Sequence, residues 1–115
     1  MSVTIYHNPK CSKSRQTLEL LRAKGIEPVV IEYLKDPPDQ ATLKKILRLL
    51  GMKPRELMRK NEDIYKKTGL DRDSLTDDAL LAIMIKHPVL IERPIVLANG
   101  KAAIGRPPEK VFEIL

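Results

Sequence analysis

Two short runs rich in β-branched residues, VTIYH at Val3–His7 and PVVIEY at 28–33, bracket one helical segment at 14–24. Branching at Cβ restricts χ1 and suits the pleated surface of a strand better than a helix. Between the runs, Leu18 and Leu21 stand three apart, and Gly25 supplies a stop. Strand, helix and strand within about 30 residues make a βαβ unit, whose strands run parallel with a right-handed crossover. This feature commits the chain to the α/β class, with helices covering a sheet.

The C-terminal part adds a second local constraint. In PIVLANGKAAIG, two apolar runs flank Asn99 and Gly100, the pair preferred in a two-residue type I′ hairpin. RPPEKVFEIL then predicts a final helix with Val111, Ile114 and Leu115 on one face. Between these β segments lies a helical insertion at about 39–87. Asp39 is a candidate cap for a helix whose inner face is Leu43, Ile46, Leu47 and Leu50, ended by Gly51. A short helix is expected at 54–59, and another turn or two in NEDIYKKTGL. Thr76 is an N-cap candidate, with Asp77 and Asp78 in the dipole-favoured first turn and Leu80, Ile83 and Met84 facing inward. That helix should end by His87, before Pro88. The expectation is one α/β domain over residues 1–115, with a four-stranded mixed sheet flanked by helices and interrupted by this insertion.

A chain of 115 residues fits one domain, and at 43% hydrophobic it can bury a core. With no Trp, Leu, Ile and Val must fill it. No apolar run approaches the length that spans a bilayer, and the start of the chain lacks the features of a secretory signal, so no membrane association and a cytoplasmic location are expected. One cysteine excludes an internal disulfide. The net charge, 21 − 15 = +6, favours an anionic partner. Aromatics at 3% leave few platforms for stacking bases, so nucleic acid is not the expected partner.

The chemistry centres on HNPKCSKSR. Cys11 sits in the turn between the first strand and the first helix, the position where α/β sheets bind ligands. Unpaired N–H groups and the positive end of the helix dipole favour a thiolate there, and the thiolate is the nucleophile. Lys13 and Arg15 add positive charge, and His7 adds more if its ring is protonated. The alternative is a small buried cysteine without a role. Ser14 completes C-x-x-S, where a redox pair would carry a second cysteine. An alcohol cannot resolve a mixed disulfide, so a cycle at Cys11 needs a thiol from outside. Ser14 either donates to the sulfur or serves as an ordinary first-turn or N-cap serine.

Arg59, Arg93 and Arg106 are candidate oxyanion ligands, because a guanidinium binds tetrahedral oxyanions bidentately and keeps its charge. Arg93 precedes Pro94 at a strand start, and Arg106 follows the hairpin. His87 closes a helix and reads as structural, and with His87 far from His7 and Cys11 no metal site is predicted.

YHNPKCSKSR, ELMRKNE, HPVLIERPIV and IGRPPEKV together resemble, in order and spacing, the glutaredoxin-dependent arsenate reductases, over a span from Ile5 to the C-terminus. The resemblance implies a thioredoxin-like fold and a cycle in which Cys11 attacks arsenate. Glutathione, a co-substrate rather than a bound cofactor, then attacks, arsenite leaves, and glutaredoxin resolves the mixed disulfide. It also implies that Arg59, Arg93 and Arg106 bind the oxyanion, that His7 favours the thiolate, and that Pro94 is cis beside the nucleophile. Ser12, Arg15 and Pro94 take supporting places. The best-known members carry small residues between Cys and Ser, whereas Ser12-Lys13 puts a flexible charge there. The family also holds related proteins of unassigned substrate and regulators that bind RNA polymerase, so the alternatives are a glutathione-linked thiol reductase of another substrate and a non-enzymatic regulator. The regulators often show C-x-x-C, and Ser14 points away from them.

Overall fold

A computed structural model describes residues 2–67, 69 and 74–115. The chain divides into two compact units, Met1–Asp36 with Arg93–Leu115, and Pro37–Glu92.

The first unit is the sheet unit. It contains β1 (Val3–His7), α1 (Ser12–Ala23), β2 (Val29–Glu32), β3 (Ile95–Ala98), β4 (Lys101–Ile104) and a C-terminal 3-10 helix (Pro108–Ile114). The strand order is β2-β1-β3-β4. β1 and β2 are parallel, with Ile5 opposite Val30, as the βαβ pattern requires. β3 returns antiparallel to β1, with Ile5 opposite Val96, and β4 pairs antiparallel with β3. The result is a mixed four-stranded sheet. Asn99 (φ 55°) and Gly100 (φ 70°) form the hairpin turn with the two positive φ values of type I′.

The alternation of side chains along a strand decides which residues meet α1. Val3 and Ile5 of β1 and Val96 and Ala98 of β3 share a buried cluster with Leu18 and Leu21 of α1 and Val111 and Ile114 of the 3-10 helix. Each Val, Leu or Ile side chain among them contributes about 1.5–3 kcal/mol when fully buried. The last helix is 3-10: Pro107 and Pro108 open it, and at seven residues it exceeds the about three or four that this winding usually spans.

α1 begins two residues earlier than its sequence suggests. Cys11 is its N-cap, with an extended backbone (φ −96°, ψ 124°), and the Arg15 amide donates to the Cys11 carbonyl at 3.0 Å. Ser14 resembles a cap in the sequence, but its side chain is fully buried.

The second unit is helical, with α2 (Gln40–Leu50), α3 (Pro54–Leu57), α4 (Asp63–Lys67), α5 (Asp77–Lys86) and a 3-10 turn at Pro88–Leu90. Asp39 caps α2 by accepting from the Thr42 amide at 2.8 Å, which holds its carboxyl below the ordinary carboxylate range. Thr76 caps α5 through the Ala79 amide at 3.2 Å. Leu43, Ile46, Leu47, Leu57, Leu80, Leu81, Met84 and Leu90 are buried, following the inner faces expected of α2 and α5. Ile83, expected on the inner face of α5, is half-buried. Of NEDIYKKTGL, α4 accounts for the expected turn, and Thr68 and Leu70 lie outside the described residues. Among the described residues, no helix is long and apolar enough to cross a membrane.

Candidate active site

Cys11 is presented by a braced turn. Its amide donates to the Asn8 carbonyl at 3.0 Å, and the Lys10 amide donates to Asn8 Oδ1 at 3.0 Å. Arg15, one turn into α1, reaches back so that Nη1 donates to the Pro9 carbonyl at 2.8 Å. The loop from Asn8 to Cys11 is thus tied at both ends to the helix it precedes. Cys11 is 8% exposed, while Ser12, Lys13 and Arg15 are exposed. A cavity of about 270 Å³ opens beside this turn, lined by His7, Asn8, Pro9, Lys10, Glu32, Leu34 and Lys35.

His7 shares the face of Ile5, two residues earlier in β1, and so points toward α1. There its Nδ1 lies 2.6 Å from Ser14 Oγ, a buried contact. The same hydroxyl accepts from the Asn8 amide at 3.0 Å. Ser14 therefore joins strand, loop and helix through His7 and Asn8, where donation to the sulfur was one expectation. Burial lowers the His7 pKa below its ordinary 6.5; the nearby Arg22 and Arg15 push the same way, against Glu32. A neutral ring, not an imidazolium, accompanies the turn at neutral pH. Asn8 escaped the sequence reading as a site residue, although Asn-Pro before the cysteine is a turn signal.

Arg106 is brought to Cys11 by the fold. Its Nη2 donates to the sulfur at 3.7 Å, and its Nε donates to the Arg93 carbonyl at 2.8 Å. The Arg93–Pro94 and Arg106–Pro107 peptide bonds are cis, the former as the resemblance implies. The Gly105 amide donates to the Pro94 carbonyl at 3.0 Å, extending the β3–β4 ladder by one bond. The hairpin thus delivers Arg93, Pro94 and Arg106 as one bonded group. Arg106 contacts the sulfur through its side chain, whereas Arg93 enters this network through its carbonyl.

Arg59 belongs to the helical unit. Met58 and Ile91 form an antiparallel bridge, flanked by Arg59 N–H to Leu90 carbonyl at 2.7 Å and Glu92 N–H to Leu57 carbonyl at 2.8 Å. The side chain pairs with two carboxylates: Nε is 3.3 Å from Glu62 Oε1 and Nη1 is 3.4 Å from Glu92 Oε1. Among the described residues, no group of three or more His, Cys, Asp or Glu side chains is placed to hold a metal ion.

A family model described as the ArsC family matches residues 6–114. The chain belongs to the ArsC family. Its sheet and helices are those of the thioredoxin-like ArsC fold, superposing on a solved arsenate reductase from Vibrio cholerae with a TM-score of 0.97. That protein is 56% identical, and the match covers 100% of this chain and 98% of the other. An arsenate reductase of Neisseria meningitidis serogroup A is 52% identical, over 98% of this chain and 97% of the relative. An Escherichia coli K12 protein named YfgD, described as uncharacterized, is 58% identical over 98% of this chain and 96% of its own.

Proposed function

We propose that this ArsC-family chain is an arsenate reductase that works through Cys11 with external thiols. The observation that carries the reading is the Arg106 guanidinium at 3.7 Å from the Cys11 sulfur. A cation donating to sulfur supports its anionic form and, once an oxyanion arrives, is placed to bind it. Arsenate and a thiolate repel each other, so fixed cations must offset that repulsion and follow the charge as the bond forms. Arg106 supplies one such cation, and in this reading Arg93 and Arg59 supply the others.

The sequence of steps follows from electron balance. The Cys11 thiolate attacks arsenic and displaces an arsenate oxygen as water, which gives an enzyme thioarsenate. The glutathione thiolate attacks the Cys11 sulfur. The S–As bond breaks, and its electron pair stays with arsenic, which passes from As(V) to As(III) and leaves as arsenite. The resulting Cys11–glutathione disulfide is opened by a glutaredoxin thiolate, which attacks the glutathione sulfur and returns Cys11. The chain holds a single cysteine, so the two electrons come from the external thiols.

His7 acts here as a neutral hydrogen-bonding group. Together with Ser14 it sets the position of the Asn8 loop rather than adding charge. Arg15 and Asn8 hold the turn from the other side. Arsenate reduction coupled to glutathione and glutaredoxin tests the assignment: the wild-type chain turns over and Cys11→Ser does not. Turnover by Cys11→Ser at the wild-type rate would refute it.

A second reading keeps the thiol chemistry and changes the substrate. It draws on identity: the chain is 58% identical to the E. coli K12 protein YfgD and 46% identical to the arsenate reductase of the same strain. A glutathione-linked reductase of another oxidised substrate would show Cys11-dependent turnover far faster on that substrate than on arsenate.

A further inference from the structure

We infer that Gly105 is a positioning residue for the cysteine: the absence of a side chain there lets Arg106 reach Cys11. The inference rests on the reading of Cys11 as nucleophile and Arg106 as its cationic partner. Its basis is a close approach between two chain segments that carry these groups. Cys11 caps α1, and Thr17 lies on the buried face of that helix, fully shielded from solvent. Arg106 is the residue immediately after Gly105, which is itself buried.

A Cβ at Gly105 would fall within contact of Thr17 Oγ1, 2.9 Å from Pro94 Cγ and 3.1 Å from Thr17 Cγ2. None of these atoms yields readily. The Thr17 hydroxyl donates to the Lys13 carbonyl at 2.8 Å, which fixes its rotamer on the helix. Pro94 is a buried ring, and its carbonyl accepts the Gly105 amide at 3.0 Å. The Gly105 backbone is therefore confined between α1 and Pro94 with room for hydrogen alone. Two further bonds pass this constraint to Arg106: its amide donates to the Ile104 carbonyl at 2.9 Å, and its Nε to the Arg93 carbonyl at 2.8 Å. A methyl group at Gly105 pushes the Arg106 backbone away from α1, and with it from Cys11. The Nη2–Sγ contact, already 3.7 Å, has little length to spare.

Alkylation of Cys11 by iodoacetamide at pH 7 reads this directly, because the thiolate reacts and the thiol does not. Arg106→Ala is expected to slow alkylation about tenfold, the scale of one charge-assisted hydrogen bond to the sulfur. Gly105→Ala is expected to slow it to a similar extent. In the double variant G105A/R106A the rate should match R106A alone, since residues acting through one contact are non-additive. Thr17→Ala removes Oγ1 and Cγ2 but leaves Pro94 Cγ at 2.9 Å, and is expected to restore part of the rate to G105A. A G105A rate equal to wild type overturns the inference, as does a double-variant rate that multiplies the two single effects. Thermal melts accompany each rate. Where G105A alone fails to fold, G105A/T17A carries the test: the remaining Pro94 contact should leave it severalfold slower than T17A, and that difference should vanish when R106A is present in both; a G105A/T17A rate equal to T17A, or a difference that persists with R106A, would overturn the inference. No arsenate enters the assay, so it can fail while arsenate reduction stands, and arsenate reduction can fail while it succeeds.

Discussion

Arg106 Nη2 lies 3.7 Å from Cys11 Sγ although 95 positions separate the two residues. The contact exists because β3 inserts between β1 and β4, bringing the hairpin alongside the strand that leads into the cysteine turn. Arg106 is also oriented from behind by the Arg93 carbonyl at 2.8 Å. Arg106→Ala is expected to lower kcat/KM for arsenate by about 2–4 kcal/mol of transition-state stabilisation, the scale for loss of one oxyanion donor. Arg106→Lys should recover only part of this, since an ammonium cannot hold the Arg93 carbonyl and the sulfur through two fixed nitrogens. Steady-state kinetics of the two variants check both statements.

His7 ties stability to pH. Its folded pKa is lowered by burial, while in the unfolded chain it takes the ordinary value of 6.5. Between these two values the unfolded chain binds the proton and the folded chain does not, so stability rises with pH across that window. The contribution is fully present above 6.5 and is lost as pH falls toward the folded value. One such group gives a slope of at most about 1.4 kcal/mol per pH unit. Urea melts at pH 7.5 and 5.5 should show a smaller pH loss for His7→Asn than for wild type. An equal loss would place the proton elsewhere.

Arg59 sits between Glu62 and Glu92, and all three side chains are about a quarter exposed (23%, 30% and 27%). Pairs this open are worth about 0–1 kcal/mol. Glu92→Gln is therefore expected to change stability by less than about 1 kcal/mol. If Arg59 binds the oxyanion, removing this competing carboxylate lowers KM for arsenate. A raised KM would show instead that the glutamates hold Arg59 in place.

The hairpin turn, at the opposite end of β3 and β4 from Arg93 and Arg106, should be separable from the chemistry. Gly100 has φ 70°, in the left-handed region, and Gly100→Ala is expected to cost about 1–2 kcal/mol. Asn99 Nδ2 donates to the Ile114 carbonyl at 2.9 Å and so fastens the C-terminal 3-10 helix; Asn99→Ala should cost about 0.5–1.5 kcal/mol. Denaturant melts measure both losses, and arsenate turnover per folded molecule should remain at the wild-type level.

The elements legible in the sequence were those whose signal is local. β1, its parallel partner β2, and the Asn99-Gly100 hairpin follow from side-chain alternation and turn chemistry within a few residues. The caps at Asp39 and Thr76 were equally local. What escaped depends on three-dimensional neighbours. Ser14 looked like a helix cap because its residue type suits one; it is instead drawn inward by His7, which shares the α1 face with Ile5. The last helix was legible as a helix, but seven residues span too few turns to separate a 3-10 period from an α period. The site followed the same division. Cys11 declared itself by its place before a helix, while its pairing with Arg106 required the sheet order. The space denied to a side chain at Gly105 is set by Thr17 and Pro94, which no sequence spacing reveals.

The Cys11 cycle is read most directly from the intact mass of the chain after incubation with arsenate and glutathione, with glutaredoxin left out. One glutathione per chain is expected, on Cys11, formed only when both reagents are present and absent in Cys11→Ser. A chain that stays unmodified, or that takes up glutathione equally without arsenate, would contradict it.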